Sequence, residues 1–194
     1  FQAPFSNKLT IFPNTNLYHI MAKRPFQDKS SLIIDLGQSA YFTPPGMKRL
    51  SKPISCNTNL YKAELTNNVR PEPFSGKYLT AMLSCLGSQK SLSSLKLKLY
   101  LAQHFEENPF KGLAVGLPNL SKLEISFSPS SHIPPGIFTE LGHSLTYFPH
   151  LTELSLNLSC LALRNDDLCI VAKKIQRLKK KIKQLKLNLF RLHI

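Results

Sequence analysis

Four segments of this chain share one spacing of large apolar residues, and this repeat constrains the fold more than any other feature. Each segment reads L-x-x-L-x-L-x-L, with Ile or Phe as the only replacements, so all 16 template positions are apolar. The first residues of successive segments are separated by 28, 31 and 31 residues. A regular period of this length predicts a repeat architecture. The segments are LSSLKLKL from Leu92, LSKLEISF from Leu120, LTELSLNL from Leu151 and IKQLKLNL from Ile182.

The pattern within each repeat predicts one strand followed by one helix. The last five template residues alternate between apolar and polar, as in a strand that buries one face. Between the templates the spacing becomes helical, in residues 108–117, 134–148 and 165–180. Pro134 and Pro135 suit the start of the second helix. One strand and one helix cannot bury their own apolar faces, so we expect neighbouring repeats to stack around a continuous core.

These segments resemble the leucine-rich repeat family, and the period is most similar to its ribonuclease-inhibitor-like type. The resemblance covers about residues 92–194 and extends to a degenerate unit from residue 60. It implies an α/β leucine-rich-repeat solenoid, with a short parallel sheet on the concave face and helices on the convex face. The family's asparagine after each strand is not clear here, so we expect irregular turns at those positions.

The first part of the chain predicts a different organisation. Residues 60–65 fit an earlier strand and residues 74–87 its helix, while residues 31–37 suit one more edge strand or a cap. Residues 1–55 are otherwise rich in Pro, Asn, Ser and basic residues, with interspersed aromatics. We therefore predict an extended, largely irregular amino-terminal arm over residues 1–55, followed by a leucine-rich-repeat domain of four to five repeats over residues 56–194.

The strand register predicts a polar ladder on the outward face of the sheet. In the leucine-rich repeat family this face usually binds the partner. Lys96 and Glu124 would be cross-strand neighbours whose charges partly cancel. The alternatives are a solvated face or one that the amino-terminal arm covers. The eight residues of this polar ladder are Lys96, Lys98, Glu124, Ser126, Ser155, Asn157, Lys186 and Asn188.

The charge of the chain favours acidic partners. Lys and Arg number 25 against 11 acids, which gives a net charge of +14, concentrated in residues 1–70 and 151–194. In the last predicted helix Ile175, Leu178 and Ile182 would face the core. The remaining basic side chains could meet RNA backbone, anionic lipid, acidic protein or only solvent. This basic surface comprises Lys173, Lys174, Arg177, Lys179, Lys180, Lys181 and Lys183.

The sequence contains no motif that indicates catalysis, a cofactor or a metal. It lacks G-x-S-x-G, G-x-G-x-x-G, the P-loop and H-E-x-x-H, and its four cysteines have no regular spacing. No apolar run approaches the roughly 18 residues that a membrane helix needs. We therefore expect a chain that is not an enzyme, with no small-molecule substrate and no transmembrane segment.

Three hypotheses for function follow from these features. The first is a structural or protein-interaction subunit of a large assembly, such as the ribonucleoprotein of a mitochondrial ribosome. An accessory subunit of a mitochondrial inner-membrane complex is an alternative form of this hypothesis. The second is a leucine-rich-repeat adaptor that binds a protein ligand on its concave face, and the third is direct RNA binding through the last predicted helix. The basic, acid-poor composition favours a mitochondrial location, with the cytoplasm as the alternative. We also expect the last predicted strand to need cover from a partner, because no later strand follows it in this sequence.

Overall fold

The computed structural model describes the repeat region and two segments before it. The described residues are 8–11, 29–35, 54–67, 76–99, 117–128, 136–159 and 165–190, together with Phe110, Leu113, Leu161 and Leu163. They form seven strands that lie side by side in chain order in one parallel sheet. The strands are β1 (Lys8–Ile11), β2 (Ser31–Asp35), β3 (Lys62–Asn67), β4 (Ser94–Leu99), β5 (Lys122–Phe127), β6 (Glu153–Asn157) and β7 (Gln184–Asn188).

The register of the sheet follows the sequence repeat. Leu95, Leu123, Leu154 and Leu185 occupy one row across β4 to β7, so each template position pairs with its equivalent in the next repeat. A shift of one residue would turn every leucine to the outward face, and burial of one face therefore fixes this register. The predicted strands of the four templates are confirmed, and β3 confirms the degenerate unit from residue 60.

Three helices are present among the described residues. They are α1 (Gly76–Gly87), α2 (Ile137–Thr146) and α3 (Asn165–Leu178), which match three of the four predicted helical segments. The fourth, residues 108–117, lies almost entirely outside the described residues. Gly136 precedes α2 with a φ of 81°, a left-handed conformation that a residue with a side chain adopts only at a cost. None of the helices described is long and apolar enough to cross a membrane.

One apolar core joins the inward face of the sheet to the helices. The template leucines of β4, β5 and β6 are buried, as are Leu83 and Leu86 of α1 and Leu141 and Leu145 of α2. Full burial of each such leucine contributes roughly 2 kcal/mol to folding. Core contact also runs between repeats through an edge-to-face chain of three aromatic rings. Their centroids are 6.4 Å apart for Phe110 and Phe127 and 5.8 Å apart for Phe127 and Phe138.

A ladder of hydroxyl groups links the starts of the strands. Ser93, Ser121 and Thr152 each donate a side-chain hydrogen bond to a backbone carbonyl one repeat earlier, at 3.1–3.2 Å. Each of those carbonyls also accepts two consecutive backbone N–H groups of the later repeat. The sequence already shows these hydroxyls at the second template position, which is Ser93, Ser121 and Thr152 in the first three templates and Lys183 in the fourth. These hydroxyls precede the strands, whereas most of the residues after the strands, where we expect irregular turns, lie outside the described residues.

The amino-terminal segment differs from the predicted arm in its described parts. β1 and β2 lie within residues 1–55, yet they extend the same parallel sheet. The physical reason is burial, since Leu32 and Ile34 alternate with half-buried neighbours and join the common core with Ile11. A strand at residues 31–37 is confirmed as β2, but its predicted place at the edge of the sheet is wrong, because β1 pairs with its outer side. Most of residues 1–55 lies outside the described residues, and the domain boundary at residue 55 stays a prediction.

Candidate protein-binding surface

The outward face of the sheet carries three polar rows, and the polar ladder supplies most of two of them. The first row runs through Lys96, Glu124, Ser155 and Lys186, and the second through Lys98, Ser126, Asn157 and Asn188. The sheet therefore aligns all eight predicted residues in the expected order.

A third row on the same face was missed in the sequence. It runs through Lys62, Ser94, Lys122, Glu153 and Gln184, at the first residue of each strand. These residues occupy the third template position, directly before the first alternating leucine. Their period of one repeat was visible, but the position precedes the strict alternation and was not assigned to the strand face.

Three ion pairs cross between neighbouring strands on this face. Their Nζ–O distances are 3.0 Å for Lys96–Glu124, 2.9 Å for Lys98–Glu64 and 2.8 Å for Lys122–Glu153. The predicted neutralisation of Lys96 by Glu124 is thus confirmed, and the Glu153 carboxylate raises the pKa of Lys122 by accepting its hydrogen bond. Ion pairs on an accessible face contribute little net stability because water screens them, so they fix side-chain positions more than they stabilise the fold.

A shallow groove runs over the last three strands. It has a volume of about 350 Å³, and its polar lining consists of ladder side chains from β5, β6 and β7. Two of them are already engaged in local turns, because the Oδ1 atoms of Asn157 and Asn188 accept backbone N–H groups two residues later at 3.1 and 3.2 Å. The groove therefore brings together six of the eight predicted residues, which are Glu124, Ser126, Ser155, Asn157, Lys186 and Asn188.

The basic residues of the carboxyl-terminal region lie on and just after α3. All seven predicted basic side chains are exposed except Lys174, which is partly buried where α3 packs on α2. The Lys174 Nζ atom lies 3.4 Å from Nδ1 of His143, and its side-chain stem covers the buried Gly142. Leu178 is buried as predicted, while Ile175 and Ile182 are partly buried against the core. The structure thus confirms the orientation predicted for this helix.

The apolar face of β7 is only half covered. Leu185, Leu187 and Leu189 are 43%, 45% and 45% exposed, whereas their equivalents Leu154 and Leu156 are 1% exposed. The prediction that the last template forms a core face is therefore wrong for β7 in its degree of burial. The physical reason is position, because no described residue pairs with the outer side of this strand. Phe190, directly after β7, is 63% exposed and extends the apolar surface.

The described residues contain no group of three or more His, Cys, Asp or Glu side chains that could hold a metal ion. Burial raises the pKa of the Cys85 thiol to about 12 from an ordinary value of 9.0. A thiol that remains protonated is a poor nucleophile. Cys56 and Cys169 are exposed and lie apart in the chain. No arrangement on these residues suggests chemistry, whereas the polar ladder forms an open polar groove.

Comparison with known proteins shows which folds resemble that of this chain, but it does not assign the chain to a family. No family model matches the chain, and no curated protein matches it. The tropomodulin C-terminal domain of Caenorhabditis elegans superposes with a TM-score of 0.55 at 10% identity, over 86% of this chain and 95% of that domain. The solved chain of leiomodin-1 actin-binding site 2 gives a TM-score of 0.50 at 14% identity, over 85% of this chain and 90% of that one. The chain therefore has an α/β, leucine-rich-repeat-like fold similar to those of the tropomodulin and leiomodin domains.

Proposed function

We propose that this chain is a non-catalytic protein-interaction subunit of a larger assembly, and that its partner binds the polar ladder. The groove over β5, β6 and β7 carries the proposal, because six ladder side chains line it as one open polar surface. Small-molecule sites are usually enclosed and mostly apolar, so an open polar groove suits the side chains of a protein better. The three ion pairs hold the neighbouring lysines and glutamates in place before a partner arrives.

The assembly we favour is a ribonucleoprotein such as a mitochondrial ribosome. Support comes from the net charge of +14 and its concentration at the two ends of the chain. A leucine-rich-repeat adaptor and an accessory subunit of a mitochondrial inner-membrane complex are the alternatives. One neighbour in fold is described as an actin-binding site, which is an example of a similar fold in a protein-binding role. At 14% identity that likeness does not name the partner of this chain.

Affinity capture with a variant of the groove tests the proposal. Ser155→Trp would fill the groove at its centre without removing an ion pair, and we expect it to reduce recovery of the partner at least tenfold. Lys90→Trp is the matched control, because Lys90 is exposed and lies outside the ladder. Quantitative mass spectrometry of proteins captured by the tagged chain gives the readout. Equal recovery of the same partner by wild type and Ser155→Trp would refute binding at the ladder.

Direct contact with RNA backbone is a second candidate, favoured by the exposed basic surface on and after α3. Its signature is an affinity for duplex RNA that falls steeply with salt. The logarithm of the association constant should fall with the logarithm of the salt concentration by a slope of roughly one for each phosphate neutralised. Replacing Lys179, Lys180 and Lys181 by alanine should lower that slope. An affinity that does not change between low and physiological salt would reject this function.

We further propose that the repeats are of the ribonuclease-inhibitor-like type and that the protein is mitochondrial, with the cytoplasm as the alternative location. The period of 28 to 31 residues supports the type, and the acid-poor composition supports the location. Imaging of the natural gene product with a carboxyl-terminal fluorescent tag checks the location. A diffuse signal that excludes mitochondria would contradict it.

A further inference from the structure

The open side of β7 combines an exposed apolar face with a backbone edge that no described strand pairs. Its apolar face exposes Leu185, Leu187 and Leu189 by 43–45%, although the same template positions in β6 are buried. Its backbone edge is open as well, since β7 pairs only with β6 among the described strands. Exposed edges of this kind take up further strands, and an edge with half-buried leucines has both a hydrogen-bonding and an apolar component to offer.

The carbonyl of Lys183 marks where an eighth strand would begin. The carbonyls of Tyr61, Ser93, Ser121 and Thr152 each accept two consecutive N–H groups from the next repeat. Lys183 is the next position in this series, and its carbonyl receives no such pair from the described residues. The Ser30 carbonyl accepts the same pair of N–H groups from β3 and the residue before it, so this geometry links six neighbouring strands, from β2 to β7. The Lys183 carbonyl therefore presents the same kind of acceptor at the open edge.

The charges on this edge specify the chemistry of the occupant. Along the central outward row, Glu64, Lys96 and Glu124 alternate in sign. Lys186 of β7 stands opposite Ser155, and the acid diagonal to it on β6, Glu153, pairs with Lys122. Residues 165–190 contain eight basic side chains against two acids. A segment that pairs with β7 would therefore gain from a carboxylate opposite Lys186 and from further acids facing the end of α3.

The same charges disfavour a second copy of this chain as the occupant. Antiparallel pairing of two β7 strands about a twofold axis would place Lys186 close to its counterpart and bring together two strongly basic helix ends. Like charges directly opposite in a sheet are destabilising. Pairing between copies would also bring two chains of net charge +14 together, which like-charge repulsion opposes.

We propose that β7 binds, as an eighth strand, an extended segment of a different protein that carries apolar side chains at alternate positions and carboxylates between them. The apolar side chains would cover Leu185, Leu187 and Leu189, and a carboxylate would face Lys186. This inference rests on the proposed protein-interaction function and adds to it a second surface and the chemical class of the segment that it takes.

A designed peptide tests the inference on the 194-residue chain. The probe is a ten-residue peptide in which Val and Glu alternate, and the controls are a Val–Lys peptide, a scrambled Val–Glu peptide and polyglutamate. We expect saturable binding of the alternating Val–Glu peptide, at least tenfold tighter than of any control. Hydrogen exchange should show that the peptide slows exchange of β7 amides and leaves β4 amides unchanged.

Variants of β7 supply the second part of the test. Lys186→Glu and Leu187→Asp should each weaken peptide binding about tenfold or more. Lys62→Glu is the control for Lys186→Glu, because Lys62 is also exposed on the outward face but lies on β3. Retained far-ultraviolet circular dichroism distinguishes lost binding from lost folding, and Leu187→Asp is tolerable since Leu187 is already 45% exposed.

Several results would overturn the inference. Equal binding of the scrambled peptide or of polyglutamate would mean that only charge attraction holds the peptide, without strand pairing. Binding that does not saturate at millimolar peptide would mean that β7 takes up no such segment. A dimer that Leu187→Asp dissociates in sedimentation would make a second copy the occupant. β7 amides protected before the peptide is added would mean that another part of the chain covers the edge. If the peptide does not bind but Ser155→Trp still prevents capture of the partner, the inference about β7 is wrong and the proposed function is retained.

Discussion

Equivalent leucines in β6 and β7 should differ sharply in what they contribute to stability. Leu156 and Leu187 occupy the same template position and pair with each other, yet Leu156 is 1% exposed and Leu187 is 45% exposed. Leu156→Ala removes a fully buried side chain and leaves a cavity, which costs about 3 kcal/mol. Leu187 is a little over half buried and borders an open surface, so Leu187→Ala loses about 1 kcal/mol of transfer free energy and encloses no cavity.

Urea unfolding followed by far-ultraviolet circular dichroism measures both costs. Circular dichroism suits this chain because it has no tryptophan. The two variants should share the wild-type m-value and differ from each other by about 2 kcal/mol in the free energy of unfolding. Ser155→Ala, an outward change on β6, is the control and should remain within about 0.5 kcal/mol of wild type. Equal losses for Leu156→Ala and Leu187→Ala would refute the reasoning, since they would mean that β7 is covered as completely as β6.

Four further predictions concern packing, a buried thiol and the hydroxyl ladder. A Cβ at Gly142 would lie 2.7 Å from Cγ and 3.3 Å from Cβ of Lys174, so Gly142→Ala should lower stability in the wild-type chain and lower it less when Lys174→Ala removes Cγ. Thermal melts of the double-mutant cycle measure this coupling, and additive effects would contradict it. Cys169 should react with iodoacetamide in the native chain while Cys85 reacts only after unfolding. Folding raises the pKa of Cys85 to about 12, so between pH 9 and 12 the unfolded chain loses the thiol proton more readily than the folded chain. The free energy of unfolding should therefore fall as pH rises from 9 towards 12, which urea titrations at each pH would measure. Thr152→Val should cost no more than about 1 kcal/mol in urea unfolding, because the carbonyl that Thr152 binds keeps two N–H donors; a loss above 2 kcal/mol would refute this view of the ladder.

The sheet was predictable because its signal is local and repeated. Four templates with the same alternation specify both the strands and the register, and the polar rows follow from that register alone. The Lys96–Glu124 ion pair was foreseen for the same reason. The period of the repeat therefore predicted the two rows of the polar ladder, whereas the third row, which shares that period but precedes the strict alternation, was missed.

Features that depend on neighbours outside the period were harder to predict. β1 contains four residues in a region rich in Pro and Asn, and it belongs to the sheet because β2 offers it an edge. The template could not reveal how much of β7 would be covered, because the burial of a strand depends on what lies beyond it. Likewise, the packing of Lys174 over Gly142 depends on the approach of α3 to α2, which no spacing within either helix encodes.

Amide hydrogen exchange along the chain tests the central claim most directly, namely that β4 to β6 form the interior of a parallel sheet whose β7 edge is open. Amides of β5 and β6 lie between two paired strands, whereas β7 has a paired neighbour on one side among the described residues. We predict that β7 amides exchange at least tenfold faster than those of β5 and β6, which corresponds to about 1.4 kcal/mol or more in local opening free energy. Uniform protection from β4 through β7 in the chain alone would contradict the account.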